Sequence, residues 1–239
     1  MSTMTEITTR PTPAEVRSSL VLALDVDDLV QAQRMARAVQ PYFGVVKVGM
    51  ELFTAAGPEA IGTFADMGFD VFMDMKLHDT PSVVGRAAGV LGSLGVSYLT
   101  MHAHGGVTML RAGVEGLHGG AERAGLPAPA ALAITVLVSD DDAPDHIVPK
   151  RLRVAMEGGC QGIICAVDDV RMARQIGPRL LTVVDGIAPV EQDEDGPSPV
   201  SQARIARDRG ASLLVVGSAV SASSDPVAVA QQLVAELTD

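Results

Sequence analysis

The sequence predicts a single (β/α)8 barrel from three observations. Eight short apolar runs alternate with eight longer segments of helical period from residue 20 onward, the order that builds a parallel sheet wrapped by helices. The chain has 239 residues and is 47% hydrophobic, enough for the core of one barrel or of two small domains. The count of eight units favours the closed barrel over an open doubly wound sheet. Only 3% of residues are aromatic and Trp is absent, so the core rests on Val, Leu, Ile, Ala and Met, which suits strands buried on both faces.

The first predicted strand is LVLALD at 20–25, an unbroken apolar run closed by Asp25. DLVQAQRMARAVQ follows, with Asp placed to cap a helix and apolar residues at helical spacing. VVKVG at 45–49 is short and β-branched, and PEAIGTFADMG after it opens on Pro and closes on Gly, as a helix does. FDVFMDM at 69–75 precedes PSVVGRAAGVLGSLG, and VSYLTMH at 96–102 precedes GVTMLRAGVEGLHGGAERAG. AALAITV at 130–136, GIIC at 162–165, LLTVVD at 180–185 and SLLVVG at 212–217 complete the strands. DHIVPKRLRVAMEGG, DDVRMARQIG, PVSQARIARDRG and DPVAVAQQLVAELT are the helices that follow them.

Residues 1–19 mix Thr, Pro, Arg and Glu without an apolar run, so they read as a flexible tail before a barrel domain at 20–239, not as a signal peptide or membrane span. A net charge of -11 without a basic stripe makes nucleic acid and anionic membranes poor partners. Cys160 and Cys165 match no zinc or redox spacing and are expected to be reduced core residues of a cytoplasmic protein.

A barrel of this kind carries its active site at the C-terminal ends of its strands. That rule selects Asp25, Lys47, Asp74 and Lys76, His102, Ser139, Asp185 and Gly217 from successive strand ends. The densest stretch is FMDMKLHDT at 72–80, where Asp74 and Lys76 lie two apart and project to one face of a strand, with Met73 and Met75 on the other. Burying opposite charges costs several kcal/mol each, so the pair is poorly explained by stability alone. Each residue also has an ordinary reading: an ion pair at a strand end, a helix cap at Asp25 or Asp185, a core histidine at His102, a snorkelling Lys47. As a set they point to a charged site in the barrel mouth.

On LALD at 22–25, VVKVGMELFTAAGP at 45–58, GFDVFMDMKLHDTP at 68–81, MHAHGG at 101–106 and TVLVS at 135–139, the chain resembles the orotidine 5'-phosphate decarboxylase family. The resemblance covers nearly all of residues 20–237 and implies a carboxy-lyase that converts orotidine 5'-phosphate to UMP without a cofactor. It implies a Lys-Asp-Lys-Asp array formed by Lys47, Asp74, Lys76 and Asp79, with Lys76 as proton donor. It also implies a homodimer in which Asp79 reaches the neighbouring site, with Ser139 on the pyrimidine and Asp25 on a ribose hydroxyl. Related metal-binding sugar-phosphate decarboxylases and aldol synthases carry Glu where this chain has Lys47, so Lys47 speaks against a metal.

The chain departs from that family where the ribose and phosphate bind. Val83 stands where the family has Thr, and Gly217-Ser218 stands where it has Gly-Arg. Gln192 matches the family's phosphate-loop glutamine but is followed by Asp193, Glu194 and Asp195. These changes weaken the grip on a phosphate dianion, since a lost charge-assisted hydrogen bond costs about 1.5 to 3 kcal/mol. The resemblance therefore leaves two substrates open: the nucleotide, with Arg204 or Arg207 compensating, or a nucleoside carboxylate whose phosphate is modified or absent. A non-catalytic ligand-binding homologue and a metal-dependent lyase using Asp74 and Asp79 are the readings from other classes.

Overall fold

The computed structural model describes residues 11–137, 139–140, 143–144, 146–187 and 202–239. Its eight strands are β1 Leu20–Leu24, β2 Val45–Gly49, β3 Asp70–Leu77, β4 Tyr98–His102, β5 Ala130–Ile134, β6 Gly162–Cys165, β7 Leu181–Ile187 and β8 Leu213–Val216. They pair in parallel in chain order and close, β8 against β1, into one barrel. The expected (β/α)8 architecture is thus the observed one.

Around the barrel lie α1 Pro13–Ser19, α2 Leu29–Val39, α3 Met50–Ala56, α4 Glu59–Asp66, α5 Pro81–Ser93 and α6 Gly106–Arg123. They are followed by α7 Ile147–Glu157, α8 Val170–Ile176, α9 Gln202–Asp208, α10 Ser218–Ser221 and α11 Pro226–Thr238. Asp28 caps α2 through the backbone N–H of Gln31, and Asp225 caps α11 through that of Ala228, satisfying donors that a helix start leaves open. Helix α1 is a difference from the expected tail. Thr12 and Glu15 form a reciprocal capping box, and Val16 is buried in the core, so the helical stretch Pro13–Ser19 is anchored to the barrel through that one side chain.

Alternation along the strands divides the apolar residues between two cores. Leu20, Leu22 and Leu24 pack outward under the helices, while Val21 and Ala23 point into the barrel with Val45, Phe72, Leu132, Ile134, Ile164, Val183, Leu213 and Val215. The same period sends Lys47 inward at the level of Ala23 and Phe72, and Asp74 inward one layer nearer the C-terminal mouth. Cys160 and Cys165 are buried free thiols whose pKa values burial pushes up to about 12, so they are inert packing residues.

Strands β3 and β7 run further than expected, to Leu77 and Ile187, because each resumes pairing after a register shift. β5 is shorter and ends at Ile134, which leaves Ser139 in the following loop. Helices α5 and α6 meet through glycines: a Cβ on Gly116 would fall on the carbonyl oxygen of Gly85, and one on Gly120 on that of Gly89. Gly116→Ala is expected to cost about 3 kcal/mol and lower the melting temperature by several degrees, because backbone cannot yield as a flexible side chain does. Gly62→Ala, at an exposed α4 position with open space around the added methyl, is expected to raise it slightly. Paired thermal melts check both signs.

Candidate active site

At the barrel mouth one carboxylate organises the charges. Asp74 is 2% exposed; its Oδ2 lies 2.5 Å from Lys76 Nζ and 3.3 Å from Lys47 Nζ, and its Oδ1 accepts a 2.9 Å hydrogen bond from Thr100 Oγ1. Lys47, 7% exposed, also lies 3.6 Å from Asp25, whose side chain is 55% exposed just past β1. Burial works against charge on Asp74. The ammonium groups of Lys47 and Lys76 and the hydrogen bonds from Lys76 and Thr100 outweigh it and hold the carboxyl below its ordinary value. Burial likewise disfavours charge on Lys47, and the carboxylates of Asp185, Asp74 and Asp25 overcome it and raise its pKa. Asp74 and Lys47 are therefore both held in their charged forms by the opposite charges around them.

Lys76 reaches this position through a backbone departure. It is the sole non-glycine residue with positive φ among the described residues, at 48°, and it lies in the interval where β3 and β4 lose register between Met73 and Leu77. A bulge of this kind re-aims a side chain at the cost of local strain. Thr100 stabilises it: this fully buried β4 residue accepts a 2.8 Å hydrogen bond from Lys76 N while donating to Asp74. Thr100→Val, which keeps the shape and removes the hydroxyl, is expected to raise the Asp74 pKa, and Thr100→Ser to restore it; carboxyl ¹³C NMR titration reads both.

Thr100 was not among the residues the sequence selected, and Asp185, selected as a strand-end residue, was given no role. The signal for Thr100 was present, because Leu99 and Met101 pack outward and so place Thr100 inside the barrel. Asp185 lies within β7, two residues before its end, and lines a cavity of 340 Å³ together with Lys76, Ser139, Ile134 and Ile164. Gly217 sits beside the array, where an added Cβ would be 3.7 Å from Asp25 Oδ2. Ser218 is exposed as the first residue of α10, and Gln192 with the acidic run after it lies outside the described residues.

Asp79 is the member of the expected array that the described chain does not bring to the cluster. It is exposed, accepts a hydrogen bond from Thr80 N, and makes no ion pair among the described residues. Beside it the rings of His78, His102 and His104 stand 5.4 to 5.6 Å apart. Burial, then the neighbouring His78, Lys76, Arg151 and His104, hold His102 below its ordinary pKa, so it is neutral near pH 7. Among the described residues no three His, Cys, Asp or Glu side chains are grouped to hold a metal ion, and no helix is long and apolar enough to cross a membrane.

The fold and the site together define the class: a closed parallel eight-stranded barrel with lysine and aspartate side chains paired at its C-terminal mouth. Residues 18–233 match the model of the "Orotidine 5'-phosphate decarboxylase / HUMPS family", and the chain belongs to that family. It is 35% identical to the orotidine 5'-phosphate decarboxylase of Moorella thermoacetica, covering 92% of each chain. It is 38% identical to that of Anaeromyxobacter dehalogenans, over 90% of this chain and 96% of the relative. The crystal structure of orotidine 5'-phosphate decarboxylase from Lactobacillus acidophilus superposes with a TM-score of 0.76 at 30% identity, over 92% of this chain and 99% of that one.

Proposed function

We propose that this protein is a carboxy-lyase that decarboxylates orotidine 5'-phosphate, or a closely related orotate nucleoside or nucleotide, without a cofactor. The observation that carries this reading is the ionised Asp74 carboxylate clamped between Lys47 and Lys76 at the mouth of a barrel of this family. Breaking the bond between the ring carbon and its carboxylate leaves an electron pair with no conjugated sink. The site therefore has to supply the stabilising charge itself.

The Lys76 ammonium is that charge. It stands beside the reacting carbon, stabilises the carbanion as CO2 departs, and passes its proton to that carbon; solvent then reprotonates the amine. Asp74 faces the substrate carboxylate, and their repulsion is relieved as CO2 becomes neutral. Lys47 holds Asp74 and Lys76 in register. Asp25 serves a ribose hydroxyl, Ser139 the pyrimidine, and Gln192, Gly217 and Ser218 the distal arm. Homodimerisation completes the site, Asp79 being supplied by the second subunit; its exposure and its lack of an ion pair among the described residues support that assignment.

Subunit mixing tests the reading. Lys76→Ala and Asp79→Ala proteins are each expected to release almost no CO2 from orotidine 5'-phosphate. An equal mixture that has exchanged subunits is expected to recover about a quarter of the wild-type sites, since half the dimers then carry one intact site. No recovery, with exchange shown by mass spectrometry, removes the cross-subunit assignment. No CO2 from the wild-type protein with either the nucleotide or orotidine removes the activity.

A further inference from the structure

We propose that Thr100 is a positioning residue for the decarboxylation, its hydroxyl setting Lys76 and Asp74 in one fixed arrangement. This inference deepens the decarboxylase reading above and rests on it. β3 and β4 pair at Met73 with Leu99 and again at Leu77 with Met101, so Asp74, Met75 and Lys76 all stand opposite the single residue Thr100. With three residues against one, β3 carries two in excess, and a regular ladder cannot serve the backbone of all three. The Thr100 hydroxyl takes the Lys76 N–H instead, at 2.8 Å.

The direction of each bond is fixed by its chemistry. A backbone N–H can only donate, so Thr100 Oγ1 accepts from Lys76 N, and its own proton goes to Asp74 Oδ1 at 2.9 Å, a carboxylate oxygen that accepts. Each bond in such a chain polarises the next. Asp74 Oδ2 meanwhile accepts from the Lys76 ammonium at 2.5 Å. A closed ring results: the backbone N–H and the ammonium of one residue are tied to the two oxygens of one carboxylate, with Thr100 as the link.

The other buried threonines among the described residues are not used this way. Thr135 Oγ1 donates to the carbonyl of Ile164, and Thr182 Oγ1 has no partner among the described residues. Thr100 is fully buried and β-branched, so few rotamers are open to it and the hydroxyl stays where the two bonds need it. Lys76 has the opposite character: a flexible four-carbon stem, a positive φ and a side chain 26% exposed. An ammonium that must stand at one carbon of the substrate gains from a partner that narrows its positions. Misplacing a reacting group by about 1 Å costs on the order of 100-fold in rate.

Steady-state CO2 release by the full-length protein and its Thr100 variants tests the proposal, with whichever of orotidine 5'-phosphate and orotidine the wild type turns over. Thr100→Val keeps the shape and removes the hydroxyl. It is expected to lower kcat about 100-fold while KM stays within about threefold, since the ground-state contacts given to Asp25 and Ser139 are untouched. Thr100→Ser is expected to return kcat to within about fivefold of the wild type, its freer χ1 accounting for the remainder. A wild-type kcat in Thr100→Val, or a loss confined to KM, overturns the proposal. Thr100→Ser as slow as Thr100→Val also overturns it and assigns the effect to the packing of the methyl group. Crystal structures of the wild type and Thr100→Val judge the positioning apart from turnover: the contact between Lys76 Nζ and Asp74 Oδ2 is expected to lengthen or to split between two positions. A contact kept as in the wild type overturns the proposal whatever the rate. Absence of CO2 release by the wild type from both compounds removes the decarboxylase reading, while the two structures still judge Thr100. Thr100→Cys, close in size but a weak donor and acceptor, serves where Thr100→Val does not fold.

Discussion

Lys76→Ala is expected to abolish CO2 release, lowering kcat/KM by about 10⁴-fold or more, because one group supplies both the electrostatic stabilisation and the proton. The loss is expected to appear in kcat, since the carbanion exists only along the reaction path and not in the bound ground state. Stability is expected to change much less. Lys76 sits at the mouth with its side chain 26% exposed, and Asp74 keeps Lys47 and Thr100 when it is removed. Single-turnover CO2 release with matched thermal melts checks both parts. A well-folded Lys76→Ala protein that retained more than about a hundredth of the wild-type rate would transfer the proton-donor role to another group.

Lys47→Met is expected to have the larger effect on stability. It leaves Asp74, 2% exposed, with Lys76 and Thr100 alone, and breaking a buried pair by removing one partner costs about 3 to 5 kcal/mol. The retained Lys76 contact places the expected loss near the lower end of that range. Its pH dependence follows from the direction of each shift. Asp74 is held below its ordinary value of 3.8, so its contribution is present above that value and is lost as pH falls through the lower, folded one. Lys47 is raised above its ordinary 10.5, so its contribution is complete below that value and is lost as pH rises through the folded one.

The wild-type pair therefore stabilises the fold across the whole neutral range. Lys47→Met is expected to move the acid edge upward, since a less well paired Asp74 protonates sooner, and to remove the alkaline contribution of Lys47. Denaturant titrations over a pH series read both edges. Removing both charges in Lys47→Met/Asp74→Leu is expected to recover part of the loss, the signature of a coupled pair. An acid edge identical to wild type would mean that Lys47 does not control Asp74.

The barrel was legible because strand and helix periods leave different marks in a chain. VVKVG at 45–49 and GIIC at 162–165 coincide with β2 and β6, being short runs rich in β-branched residues. Asp25, Lys47, Asp74 and Lys76 were legible for a related reason: charged residues at consecutive strand ends of an apolar barrel have nowhere to point but the mouth. Helices α3 and α10 were not foreseen. MELFTAA and SAVS are too short for helical period to emerge from their apolar content, and each forms where the chain leaves a strand and turns across the rim.

By itself the sequence determined which side chains face the barrel interior, because the two-residue period along each strand is a property of the backbone and not of the fold around it. That period was enough to place Lys47 and Asp74 together at a C-terminal mouth. Only the tertiary structure decided how the charges are shared. The register shift between β3 and β4 turns Lys76 onto Asp74, Thr100 from the neighbouring strand fastens both, and the kink in β7 brings Asp185 to the cavity wall. Register between strands depends on packing between residues far apart in the chain, and no local pattern in FMDMKLHDT or LLTVVD encodes it.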